Sequence, residues 1–76
     1  STNVETDLDL ASLFDSVGSL FWKEGDSTFS LSYIQKSLDI RMRVLEPSDL
    51  RLAESYNNIA LVLRMKGEFE QKLKFE

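Results

Sequence analysis

The sequence of 76 residues contains no cysteine and no histidine. Without them, the chain cannot build a disulfide, a Cys–His or Ser–His–Asp catalytic arrangement, or a thiolate or imidazole metal site. The closely spaced carboxylates, Asp7 with Asp9 and Glu24 with Asp26, do not form a convincing acid/base pair. We therefore predict that the protein is not an enzyme and needs no cofactor or metal. The lack of cysteine is compatible with a reducing compartment, either cytosolic or nuclear, and we expect a cytoplasmic location.

Long apolar runs and an excess of basic charge are also missing. No apolar run approaches the ~18 to 20 residues that a membrane-spanning helix needs. The first fifteen residues contain acidic side chains but no Lys or Arg, unlike a signal or transit peptide. The chain has 9 basic and 13 acidic residues, whereas nucleic-acid-binding modules concentrate Lys and Arg on one face. We expect neither a membrane nor a nucleic acid as a partner.

The chain repeats itself with an offset of 42 residues. Of the 29 pairs from Thr6/Ser48 to Ile34/Glu76, six are identical and eight more keep size or chemistry. The identical pairs include Ala11/Ala53 and Gly25/Gly67. Internal repeats of this length are typical of solenoid architectures, in which one supersecondary unit recurs.

Each copy is predicted to be a helix, a tight turn and a second helix. Thr6 and Ser48 are candidate N-caps, and Gly25 and Gly67 are candidate helix ends, with new helices starting at Asp26 and Glu68. Pro47 should end the long second helix near Leu45. Apolar residues spaced by four, three and four define one face of each first helix: Leu10, Phe14, Val17 and Phe21, then Leu52, Tyr56, Ile59 and Leu63.

The second helix has an alternative interpretation. The stretches FSLSY and LDIRMRV alternate apolar and polar residues, which is also the pattern of a half-buried strand. A helix is favoured because residues 27–45 contain no turn signal and because the repeat context requires a helix. Its expected apolar series is Leu31, Ile34, Leu38, Met42 and Leu45.

The spacing of small and large residues resembles a known family. The pattern A..Y..IA..L...GEFE from Ala53 to Glu70, with A..F..VG..F...GD from Ala11 to Asp26, is similar to the tetratricopeptide repeat, in particular the 42-residue variety of kinesin light chains. The resemblance implies an all-α fold of antiparallel helix-turn-helix repeats, a fragment of an α-solenoid with about one and three-quarter repeats. Repeat one would span 6–47 and a truncated repeat two 48–76, with Glu76 inside a fourth helix. We expect a piece of a longer array.

The small residues should set the helix packing. Gly18, Ala60, Ala11 and Ala53 should let neighbouring helices approach closely, while Phe14, Tyr56, Phe21 and Leu63 fill the space between them. These residues are predicted to be core, not site.

The same resemblance implies that the first helix of each repeat lines a concave groove. The groove residues that we single out as partner-binding candidates are Asp15, Ser19, Trp22, Lys23, Asn57, Asn58, Leu61, Arg64 and Met65. The amides of Asn57 and Asn58 can donate and accept together, which suits the backbone of an extended peptide. The alternative is that adjacent Asn residues are solvated surface.

Two further pairs each allow two interpretations. Trp22 and Met65 could form an apolar anchor pocket, or could simply pack against a neighbouring helix. Arg64 and Lys23 could attract an acidic peptide, or could complement helix dipoles.

Two functions follow. The favoured one is a scaffold that binds a protein or peptide in the groove. The alternative is a self-association module that forms a homodimer without a separate ligand.

Overall fold

The computed structural model describes residues 3–75, and this part of the chain folds as three helices. They are α1 (Val4–Lys23), α2 (Ser27–Val44) and α3 (Leu50–Phe75). Residues 3–75 include no strand, and both alternating stretches lie within α2, so the all-α helical-repeat prediction is confirmed. None of these described helices is long and apolar enough to cross a membrane. The expected position of Glu76 in a fourth helix lies outside the described residues.

The helices begin at Asn and Asp caps, not at the hydroxyl residues that we expected. The Asn3 side chain accepts hydrogen bonds from two first-turn amides of α1, at 2.9 and 3.3 Å. Asp26 and Asp49 each accept one first-turn amide of α2 and α3, at 3.0 and 2.9 Å. The prediction of Thr6 and Ser48 as N-caps is therefore wrong. The side-chain oxygens of Asn3 and Asp49 accept the free amides of these first turns instead.

The two equivalent glycines behave differently. Gly25 has a φ of 82°, and the hydrogen bonds from Gly25 N to Trp22 O (3.0 Å) and from Asp26 N to Phe21 O (2.9 Å) form a Schellman motif that ends α1. Gly67 lies inside α3, so the helix end predicted there, and the new helix at Glu68, are wrong. A glycine permits a turn but does not force one. The turn also requires that the segment after the glycine packs against the preceding helix.

Helices α1 and α2 form a closely packed antiparallel pair. Ala11 and Gly18 are buried on α1, as predicted. A Cβ built on Gly18 would lie 2.9 Å from Ile34 Cγ1 and 3.2 Å from Ser30 O, so a side chain does not fit there without a shift. The aromatic rings of Phe21 and Tyr33 stack beside this contact with centroids 5.5 Å apart.

Helix α3 packs on α2 through a different face from the one we expected. Its buried residues are Leu52, Ser55 and Val62, whereas the predicted close-contact residues Ala53 and Ala60 are exposed. Tyr56 and Leu63, predicted to fill the same space, are also exposed. The prediction fails because no helix among residues 3–75 covers Ala53 and Ala60 as α2 covers the matching positions of α1, and the Tyr56 hydroxyl lies 3.8 Å from Met42 Sδ of α2. Within the described part of the chain, α1 and α3 pack on α2 and not on each other, which leaves a groove between them.

Candidate functional site

Three adjoining cavities follow the groove between α1 and α3, and α2 forms its floor. The central cavity, of about 170 Å³, is lined by Asp15, Ser19, Trp22, Ser30, Ile34, Asn58, Leu61 and Val62. The polar cavity, of about 240 Å³, is lined by Asp15, Arg41, Arg51, Glu54, Ser55 and Asn58. The apolar cavity, of about 180 Å³, is lined by Trp22, Gly25, Ser27, Met65, Lys66 and Phe69. Asp15 and Asn58 join the first two cavities, and Trp22 joins the first and the third.

The central cavity brings together five of the nine partner-binding candidates. Asp15, Ser19 and Trp22 come from α1, and Asn58 and Leu61 come from α3. Their helices lie on opposite sides of the groove, so residues about forty positions apart face one space. The floor of this cavity includes the buried Ser30 hydroxyl, which has no hydrogen-bond partner among residues 3–75.

A single arginine organises the polar cavity. Arg41 Nη1 lies 2.6 Å from Asp15 Oδ2, 2.6 Å from Ser37 Oγ and 3.2 Å from Ser55 Oγ. One guanidinium nitrogen has two hydrogens, so the third contact is a shared and weaker one. Because these acceptors belong to α1, α2 and α3, Arg41 ties the three helices together at one end of the groove.

The rim of the polar cavity carries a second ion pair. Arg51 donates to Asp49 through Nε at 3.0 Å and Nη2 at 2.7 Å, and its backbone amide also donates to Asp49. These hydrogen bonds lower the pKa of Asp49 from 3.8 to about 2. The carboxylate in turn raises the pKa of Arg51. This pairing fixes the start of α3 next to the groove.

The apolar cavity contains Trp22 and Met65, the pair for which we weighed an anchor pocket against simple packing. Both side chains line the cavity, with Phe69 completing its apolar wall. Met65 is 40% exposed and Phe69 is 62% exposed, so both side chains keep exposed surface next to this cavity. The geometry therefore leaves an apolar surface available beside Trp22.

The remaining candidates lie outside these three cavities. Asn57 and Lys23 are exposed, and Lys23 is in the last turn of α1, where a cation complements the helix dipole. Arg64 is exposed and lies 3.9 Å from Glu68 one turn along α3. Of the two adjacent asparagines, Asn58 lines the groove cavities and Asn57 does not.

Sequence reasoning predicted Ile34 as an apolar residue of the second helix but missed the polar residues of the groove floor. The buried residues of α2 include Ser30 and Ser37, and Arg41 lies one turn after Ser37, whereas Met42 of the expected apolar series is exposed. The positions Ser30, Ile34, Ser37 and Arg41 are spaced by four, three and four, which was a detectable helical stripe. It was overlooked because three of its four members are polar.

The chain matches a known family along most of its length. A family model described as tetratricopeptide repeat matches residues 9–71. No curated protein and no solved structure matches the chain. Across the described part of the chain, no cluster of three or more acidic, histidine or cysteine side chains could hold a metal ion. The antiparallel helices, the Gly18 contact and the matched region agree, and the chain belongs to the tetratricopeptide repeat family.

Proposed function

We propose that the groove between α1 and α3 binds a partner protein through an extended peptide segment. Tetratricopeptide repeats are in general protein–protein interaction modules and are typically non-enzymatic scaffolds. The observation that carries the proposal is the position of Asn58, whose side chain borders both the central and the polar cavity. An amide there can accept from a peptide N–H and donate to a peptide carbonyl at the same time.

The groove has room for a short extended segment. The seven-residue step along α1 from Asp15 to Trp22 corresponds to about 10 Å. An extended chain rises about 3.3 Å per residue, so about three residues fit between the two ends. The polar cavity suits a polar side chain at one end, and the apolar cavity beside Trp22 and Met65 suits an aliphatic or aromatic side chain at the other.

Two finer features complete the proposal. The 42-residue repeat and the Asn58 position resemble kinesin-light-chain-like repeats, in which the equivalent Asn resembles a clamp on the peptide backbone. We place the protein in the cytoplasm, which is compatible with its lack of cysteine. The remaining candidates Asn57, Arg64 and Lys23 would contact parts of the partner beyond the three cavities.

The test uses peptides selected from a random display library against the chain, followed by calorimetric titration. Asn58→Ala should weaken their binding by about 1 to 3 kcal/mol, or roughly 5- to 150-fold, because a buried hydrogen-bond pair with the peptide backbone is lost. Gln71→Ala removes another exposed amide, at the far end of α3, and should leave affinity unchanged. Equal affinities for wild type and Asn58→Ala would contradict the proposal.

Self-association is the second candidate. It is favoured by the apolar side chains that α3 leaves exposed away from the groove, with Tyr56 50% and Leu63 53% exposed. Large apolar patches of this kind mark interaction surfaces on soluble proteins. In this alternative, a homodimer would use this surface and would have no separate ligand.

A further inference from the structure

Two fully buried serines of α2 differ in their hydrogen bonding. Ser30 and Ser37 are both 0% exposed and lie two turns apart on the side of α2 that faces the groove. The Ser37 hydroxyl accepts a hydrogen bond from Arg41 Nη1 at 2.6 Å. Among residues 3–75, Ser30 alone has a buried side-chain polar atom without a partner. A buried polar group of this kind is uncommon in native proteins and requires an explanation.

The helix backbone does not satisfy the Ser30 hydroxyl. A serine within a helix often donates to the backbone carbonyl four residues earlier. Ser16 Oγ donates in this way to Ser12 O at 3.1 Å. Ser55 Oγ does the same to Arg51 O at 3.1 Å. Ser30 makes no such bond, so within residues 3–75 its hydroxyl uses neither its donor nor its acceptor sites.

Ser30 lies at the floor of the central cavity, beside Ile34. The cavity measures about 170 Å³, several times the share of about 30 Å³ that one water molecule takes in the liquid. Its walls belong to α1, α2 and α3, between positions 15 and 62, so they are complete within the described chain. Because Ser30 is fully buried, a group from outside reaches its hydroxyl only by entering the cavity down to the floor. Only a small polar group can do this.

The charges around the cavity favour a neutral group. Asp15 also lines the cavity, but its charge is already compensated by Arg41, 2.6 Å away. A second cation would be repelled by Arg41, and a carboxylate would be repelled by Asp15. Arg41 donates to Asp15 Oδ2, and within residues 3–75 no hydrogen bond reaches Oδ1. The cavity therefore offers a carboxylate acceptor and a free hydroxyl to a neutral donor.

The rest of the cavity is largely apolar. Ile34 at the floor and Leu61 and Val62 on α3 supply aliphatic surface. A group that fills the cavity should therefore carry one hydroxyl and one apolar face. Among the amino-acid side chains, that of threonine combines a hydroxyl with a methyl group on the same carbon.

We propose that the central cavity binds a hydroxyl-bearing side chain, above all that of threonine, from the peptide segment in the groove. This inference rests on the proposed peptide binding and names the side chain that the cavity selects. The Ser30 hydroxyl is its hydrogen-bond partner, with Asp15 Oδ1 as a second acceptor, and Ile34 and Val62 contact its methyl group. A site that hydrogen-bonds a substrate hydroxyl rejects an analogue without it, because the polar group of the site is then left unpaired.

Thermal melts of the free chain test whether the hydroxyl is unused. Ser30→Ala removes a buried hydroxyl that has no partner and adds a better helix former, so it should melt at the wild-type temperature or above. Ser37→Ala is the matched control: it removes an equally buried hydroxyl that is bonded to Arg41, and should melt lower. A lower melting temperature for Ser30→Ala would mean that its hydroxyl already has a partner, and would overturn the proposal.

A peptide scan tests the selection. One peptide, selected from the random display library on the wild-type chain, is synthesised with each position replaced in turn by Thr and by Val, which have nearly the same shape. At one position, Thr should bind the wild-type chain at least about fivefold more tightly than Val in calorimetric titration. With Ser30→Ala, this ratio should fall to near one. Ser16→Ala removes a hydroxyl that bonds to its own helix, and should keep the ratio.

The other outcomes separate this inference from peptide binding itself. If Asn58→Ala weakens the peptides but their Thr-to-Val ratio is the same with and without the Ser30 hydroxyl, the selection by Ser30 is overturned and binding in the groove stands. A ratio near one at every position has the same meaning. If no library peptide binds the wild-type chain, both proposals are overturned.

Discussion

Asp15 of α1 and Arg41 of α2 form a 2.6 Å ion pair at the polar end of the groove. The Arg41 side chain is 13% exposed and that of Asp15 is 32% exposed, so the pair is shielded more than a surface salt bridge. Because Arg41 also reaches Ser55 on α3, the pair holds in register the two helices that form the groove walls. Arg41 therefore contributes both to the shape of the groove and to the packing of the three helices.

Removing this side chain should loosen all three helices. Arg41→Ala leaves the Asp15 carboxylate and the Ser37 hydroxyl without their partner, and we expect a loss of about 1 to 3 kcal/mol in the free energy of unfolding. Arg41→Lys keeps the charge but not the forked donor geometry, and should retain part of that stability. Urea denaturation measures both. If Arg41→Ala unfolds at the wild-type midpoint, the contacts contribute nothing.

The close contact at Gly18 should not tolerate a side chain. Gly18→Leu pushes into Ile34 and the Ser30 carbonyl, and overpacking of this kind costs about 1 to 3 kcal/mol. Ala60→Leu, at the equivalent position of the second repeat, should melt as wild type does in dilute solution because Ala60 is exposed. Thermal melts of both variants decide the matter, and equal destabilisation would mean that both positions are covered.

The two turn-equivalent glycines should respond in opposite directions to alanine. Gly25→Ala forces an alanine into a left-handed conformation, which costs about 1 to 2 kcal/mol. Gly67→Ala replaces a glycine within a helix and should stabilise the protein by about 0.5 to 1 kcal/mol. Chemical denaturation of the two variants provides the comparison. Destabilisation by Gly67→Ala would indicate a turn at Gly67.

The Asp49 carboxyl should titrate at an unusually low pH. Hydrogen bonds from Arg51 favour its ionised form and lower its pKa from 3.8 to about 2. Because the folded-state pKa lies below the unfolded one, the stabilisation is present above pH 3.8 and is lost as the pH falls towards 2. NMR titration of Asp49 measures this pKa directly. In Arg51→Ala it should return towards 3.8, and an unchanged value would exclude Arg51 as the cause.

The sequence by itself determined the repeat, the all-α fold and the close contact of the first helix pair. The 42-residue repetition is visible by comparing the chain with itself. The other signals are local, because the effect of a glycine or a proline depends on the backbone sterics of its own segment: Gly25, Pro47 and the small residues Ala11 and Gly18. The groove candidates on α1 and α3 came from the resemblance to the tetratricopeptide repeat, which implies that the first helix of each repeat lines a groove, and five of the nine line the central cavity.

Only the tertiary structure decided which of these signals are used. Gly67 occupies the repeat position equivalent to Gly25 but stays helical, because within residues 3–75 no packed helix holds the segment after it in a turn. Ala60 matches Gly18 in sequence yet is exposed, since burial depends on what covers a face and not on the face itself. Arg41 could not be predicted as the link between three helices, because the position of a charged side chain depends on acceptors that are distant in sequence and meet only in the folded chain.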